Sequence, residues 1–162
     1  MKRHFLPFLL LALLPLFLAT SCRTYTPAFV LSLHEFADPQ ISTRLNKQVR
    51  NSNREWQYTI QNFPFMDARD FLGGELYGPD ENGCYGLRIQ VDMWSLNRMH
   101  HTAGANLGLL FAVVVDGTYV GASHFTPEMR DEDVLVLEPI WNFYDATRIL
   151  ENLEDNRNHL RP

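Results

Sequence analysis

Cysteine is close to absent: Cys22 and Cys84 are the two in 162 residues, so at most one internal disulfide can form. Positive charge is also scarce. Fourteen Lys and Arg against 19 Asp and Glu give a net charge of −5, and the chain has no basic patch and no Gly-rich phosphate loop, which argues against nucleic acid as a partner. There is no Cys-x-x-Cys or His-x-x-x-His spacing to hold a metal. Ser32, Ser42, Ser52, Ser95 and Ser123 all lack the Gly-x-Ser-x-Gly setting of a hydrolase nucleophile. Beyond the first 22 residues no run reaches membrane-spanning length, so the mature chain is expected to have no channel or proton path of its own. Internal repeats and low-complexity stretches are absent as well.

What is present begins with a leader. "MKRHFLPFLLLALLPLFLATSC" opens on Lys2 and Arg3, continues as a long apolar run, and ends on Ala19, Thr20 and Ser21 before Cys22, the pattern of an export signal. Its end resembles the bacterial lipobox. That resemblance implies removal of residues 1–21, diacylation of the Cys22 thiol and acylation of the freed amino group; an uncleaved anchor helix, or a secretory signal with an incidental cysteine, is the plainer alternative. Several acyl chains make a durable membrane anchor, since each buried methylene contributes about 0.8 kcal/mol. Arg23 follows the cysteine where, by resemblance to lipoprotein sorting rules, an aspartate tends to retain the protein in the inner membrane of a Gram-negative cell, so the expected location is the outer membrane, facing the periplasm. Residues 22–28 are then a lipidated cysteine with a short tether, which reaches roughly 20 Å and keeps the domain beside the headgroups. Loss of Lys2 and Arg3 leaves 12 basic and 19 acidic residues, a charge of −7. With Cys22 acylated, Cys84 has no partner and reads as a small apolar strand residue, a reactive or intermolecular thiol being the sharper alternative.

The domain is expected over residues 29–155. "FVLSLHEF" alternates as a strand should, and "DPQISTRLNKQVR" suggests a helix over residues 38–50, with Asp38 as cap, Pro39 at the first position, and Ile41, Leu45 and Val49 four apart. "REWQYTIQ" alternates again and is stopped by Pro64. "MDARDFLGG" suggests one or two helical turns closed by Gly73-Gly74, and "PDENG" a turn. In "YGLRIQVDMW", Leu87, Ile89, Val91 and Met93 read as inward and Arg88, Gln90 and Asp92 as outward. Ser95 is a candidate cap for a helix over "LNRMHHTAGAN", with Leu96, Met99 and Ala103 on its buried side.

"LGLLFAVVVDGTYVGASHF" is the most apolar stretch of the mature chain. "LLFAVVV" is apolar on both faces, as an interior strand covered on each side is. Asp116-Gly117 is a two-residue turn signal, because a type I′ turn needs positive φ at both central residues, and Gly121 suggests a bulge or a close backbone approach. "DVLVLEP" supplies one more strand. Asn142 caps the last helix, whose buried stripe is Phe143, Ala146, Ile149, Leu150 and Leu153, and residues 156–162 read as a flexible tail. The order describes an α+β domain, a mixed or largely antiparallel sheet with helices packed mainly on one face.

"HTAGANLGLLFAVVVDGTYVGASHF" and "LVLEPIWNFYDATRILENL" together resemble the head subdomain of the first periplasmic domain of the SecD/SecF protein-export accessory family, and "YTIQNFPFMDARDF" is similar to that family's lead-in strand. The resemblance implies the fold and an extracytoplasmic role in contacting polypeptide. It carries no catalytic motif. "GASHF" stands where the family runs into Ser-Ala-Pro, and the family's transmembrane helices are missing, so translocase activity is not implied.

The chemical candidates read as structural. His100 and His101 are neighbours on a helix and point about 100° apart, so with His124 they make a poor metal site. Asp116 reads as a solvated turn residue rather than a general base. Asp131, Glu132 and Asp133 read as a solvated loop, with weak calcium binding as the alternative. The sequence therefore points to a non-catalytic lipoprotein that contacts another protein or an envelope component and takes no cofactor. The alternative is an envelope hydrolase acting on glycan, peptide or lipid.

Overall fold

The computed structural model describes residues 25–40 and 44–161. The leader, Cys22 and the first part of the tether lie outside the described residues. In chain order the elements are β1 (Leu31–Glu35), β2 (Asn46–Arg50), β3 (Gln57–Gln61), β4 (Met66–Asp67), β5 (Phe71–Tyr77), β6 (Tyr85–Val91), α1 (Met93–Ala105), β7 (Leu110–Val115), β8 (Thr118–His124), α2 (Pro127–Asp131), β9 (Val134–Trp141) and α3 (Phe143–Leu160). They form an α+β domain with three antiparallel sheets, ordered β4-β1-β7-β8, β2-β3 and β5-β6-β9.

The hairpin β7–β8 turns at Asp116 (φ 50°) and Gly117 (φ 75°), the two positive values a type I′ turn requires. Strand β7 is apolar on both faces because both are covered. Phe111, Val113 and Val115 point into the main core with Leu31 and Leu33, whereas Ala112 and Val114 meet Val49 and Ile60 of the two-stranded ribbon β2–β3. The main core continues through Leu87, Ile89 and Val91 of β6, Leu135 and Leu137 of β9, Met99 and Ala103 of α1, and Ala146, Ile149 and Leu153 of α3. The two larger sheets meet where β8 lies beside β9. There the register of β7–β8 shifts between Val113 and Val114, and a Cβ on Gly121 would stand 2.9 Å from Ile140 Cδ1, so the glycine admits the close approach its position in the sequence suggested.

Several local expectations are corrected. Residues 46–50 form a strand, not the end of a helix: Lys47 pairs with Ile60 and Val49 with Tyr58, because the outer face of the four-stranded sheet needs an apolar cover that one ribbon supplies. The four-residue spacing had no helical face behind it, as Leu45 is 59% exposed. Residues 66–74 are strand, turn and strand, and β5 runs straight through Gly73-Gly74. The cap of α1 is Asp92, which accepts from Trp94 N at 2.9 Å. Ser95 lies inside that helix, and Met93, expected inward, is exposed at its first position. Residues 156–160 are not a tail but the last turns of α3, held by polar partners that an apolar pattern does not register. Phe143 is likewise exposed. The sequence reading missed α2, which Thr126 caps and Pro127 begins.

Candidate functional site

Where β1 ends and the ribbon opens, large apolar side chains meet solvent. Phe36 bridges to Ile60, and Asn62 N donates to Leu45 O, closing the ribbon's open end between Leu45 and Phe63. Phe63 is 72% exposed and Leu45 59%. With Ala37, Asp38, Asn46 and Gln61 these three residues line a cleft of about 370 Å³. The loop between α1 and β7 adds exposed Leu107 and Leu109, and β7 opens on exposed Leu110; Asn106 Nδ2 donates to Glu35 Oε1, tying that loop to the same end of β1. Apolar surface in a cleft whose rim carries amide and carboxylate groups suits an extended peptide or another mixed ligand better than a small charged one.

Beneath the ribbon lies the pair with the most chemical potential. His34 is fully buried; its Nδ1 donates to Gln61 O at 2.9 Å, and its Nε2 accepts from Ser32 Oγ at 3.1 Å. Burial, reinforced by the nearby Lys47 ammonium, pushes the imidazole down to about 4, so it is neutral near pH 7. A hydroxyl bonded to an oriented imidazole is the start of a nucleophile–base arrangement. The ribbon stands over it, however, and a substrate could reach His34 only if the ribbon moved away.

Asp116 is exposed and does more than turn the chain. Its carboxylate accepts from Phe29 N at 3.0 Å and Val30 N at 2.8 Å, fastening the start of β1 to the hairpin tip. Gly117 serves the turn alone. The histidines are dispersed: His100 Nε2 donates to Glu132 O, His124 Nδ1 donates to Glu138 across the β8–β9 joint, and His101 is exposed. Among the described residues no three His, Cys, Asp or Glu side chains converge as they would about a metal. Cys84 is half-buried and free, in the turn ahead of β6.

A second polar assembly joins α1 to α3. Asp70 accepts from Ser95 Oγ at 2.5 Å and from Arg98 at 2.6 Å. Asp92 accepts from Arg157 at 2.9 Å and Arg161 at 2.7 Å. The Trp94 amide and then the Arg161 guanidinium hold the Asp92 carboxyl down at about 2. Asn156, nearly fully buried, donates to Ala28 O and accepts from Tyr25 OH, both at 2.8 Å, so this assembly also fixes the segment that precedes β1.

No protein-family model matches the chain, and no curated protein does. Solved structures do. One is the structure of "a membrane component SecDF that enhances protein export", with a TM-score of 0.54 at 14% identity over 79% of this chain and 63% of that one. The fold is SecDF-like. A second SecDF structure, in a "Super-membrane-facing form", matches with a TM-score of 0.54 at 15% identity, over 77% of this chain and 18% of that one. The chain thus spans less than two thirds of either SecDF chain, and among its described residues no helix is long and apolar enough to cross a membrane.

The cleft residues Phe36, Leu45 and Phe63 escaped the sequence reading. A signal for them was present, since Phe36 follows β1 and Leu45 and Phe63 stand just outside β2 and β3, at places where alternation would no longer bury them.

Proposed function

We propose that this chain is a lipid-anchored protein of the bacterial envelope whose domain corresponds to the head subdomain of SecD/SecF and binds a polypeptide segment, or another envelope component, in the cleft of Phe36, Leu45 and Phe63. The exposure of those three side chains around one cleft carries the reading. The SecDF-like fold supports it, because the SecDF of the first structure enhances protein export. The role is contact rather than bond-making. A photo-crosslinking residue placed at Phe63 is expected to capture partners in intact envelopes, whereas the same residue at Glu75, on the polar face of the three-stranded sheet, is not; equal capture at both, or none at Phe63, refutes the cleft. For the anchor at Cys22, Cys22→Ser is expected to release the chain or leave it unprocessed, and unchanged membrane partition and mobility count against lipidation.

One observation favours the hydrolase reading, the 3.1 Å contact of Ser32 with His34. A turnover on glycan, peptide or lipid substrates that Ser32→Ala abolishes in a folded protein would replace contact with catalysis.

A further inference from the structure

The last turns of α3 bring together two things remote in sequence. On one face they hold the incoming chain: Tyr25 OH donates to Asn156, and the Tyr25 ring lies 5.3 Å from the ring of His159. On the adjoining face Arg157 and Arg161 grip Asp92, the cap of α1. From the first turn of α1 project Met93, 72% exposed, and Trp94, 85% exposed. Leu160 at the end of α3, and Leu72 in the bulge of β5 opposite Val91, are partly exposed nearby.

The charges around this surface are already paired: Arg69 with Asp67, Arg98 with Asp70, and Arg157 and Arg161 with Asp92. Four guanidiniums share three carboxylates there, so what the surface offers is an indole and a thioether among paired ions, and tryptophan next to paired polar groups is the composition that settles at the headgroup level of a bilayer. Tyr25 stands three residues after Cys22, a separation of at most about 11 Å even when extended. The ribbon and its cleft lie elsewhere. They cover the outer face of the four-stranded sheet, while α3 joins the core on the inner face.

We propose that Met93 and Trp94, with Leu160, dock into the interfacial layer of the same bilayer leaflet that holds the lipid anchor, so that the domain lies against the membrane by its α1–α3 end and turns the ribbon away from it. This rests on the anchoring reading, because the tether selects the bilayer, rather than a protein partner, as occupant. Apolar insertion and not charge attraction drives the contact, in keeping with the acidic balance of the chain.

The test uses the purified, lipidated protein reconstituted into vesicles of phosphatidylethanolamine and phosphatidylglycerol whose acyl chains are brominated near the headgroup, a quencher of tryptophan emission. Co-floating wild-type protein is expected to be quenched. Trp94→Phe is expected to lose that quenching, Trp56→Phe to keep it, and Met93→Gln, which retains all three tryptophans, to show it weakened. Co-flotation without quenching, or equal quenching in Trp94→Phe, overturns the docking surface and leaves the anchor standing. Wild-type protein that does not float with the vesicles overturns both.

Discussion

The two apolar clusters of this domain differ in what lies among their carbon atoms. The main core draws on two sheets and two long helices, with Phe111, Leu33, Met99 and Leu137 all fully buried, and buried Ser123, across the strand from Phe111, accepts from Glu138 N at its edge. The cluster under the ribbon has four buried members, Val49, Ile60, Ala112 and Val114, edged by the stacked rings of Tyr58 and Tyr119 4.1 Å apart. A neutral histidine and a serine lie beside it. Stability in a domain follows the density of buried apolar contact, so the ribbon is the weaker region, and it is the region that carries the cleft. An exposed edge that can loosen without unfolding the body is what the contrast teaches.

The strongest way to break the comparison is Phe111→Ala, which removes a ring packed 5.3 Å from Phe65 and 4.7 Å from Phe125. A global loss of about 3–5 kcal/mol is expected, read as a lower midpoint in denaturant with all probes moving together. If the ribbon alone responded, the division into body and ribbon would be wrong.

Acid should separate the two regions in order. The imidazole of His34 ionises near 4 in the folded protein and near 6.5 when unfolded. The neutral, buried form therefore contributes its full stability above the unfolded value, and that contribution is lost as pH falls toward 4. The whole contribution is about 3 kcal/mol. Asp92 is depressed to about 2, so its contribution to the α1–α3 joint is complete above the ordinary carboxylate value and disappears only as pH falls through about 2. Amide protection measured against pH should thus fail first in β2 and β3 and later in α1 and α3. His34→Phe should abolish the early step, and simultaneous loss in both regions would contradict the assignment.

The smallest effect sharpens the contrast. Ile60→Val, in the ribbon, is expected to cost about 1 kcal/mol and to speed hydrogen exchange in β2 and β3 while α3 stays protected. Exchange quickened equally throughout would mean that ribbon and body open as one.

Much of the body was legible because its elements obey one period each. In β6, Leu87, Ile89 and Val91 are all buried, and in α3 the stripe of Ala146, Ile149 and Leu153 is as well. The ribbon was not legible. Its strand β2 places one buried residue, Val49, among polar neighbours, and a single apolar position fits a helical spacing as well as an alternating one. The end of α3 was missed for a related reason: after Leu153 it is held by Asn156, Arg157 and Arg161 through hydrogen bonds and ion pairs, whose partners at Ala28 and Asp92 are invisible to any local window. The candidate cleft was hidden because residue type does not announce exposure, and Phe63 looks like any core phenylalanine until the fold is known.

The carboxylate of Asp116 closes on amides 86 and 87 positions earlier in the chain. Strand β1, the first strand among the described residues, also pairs with β7 and so stands inside its sheet. Apart from the two-residue strand β4 it has no sheet partner until the hairpin exists, and topologies with partners so remote fold slowly. A polypeptide built this way stays pliant until the hairpin of β7 and β8 has formed, and only then acquires its shape.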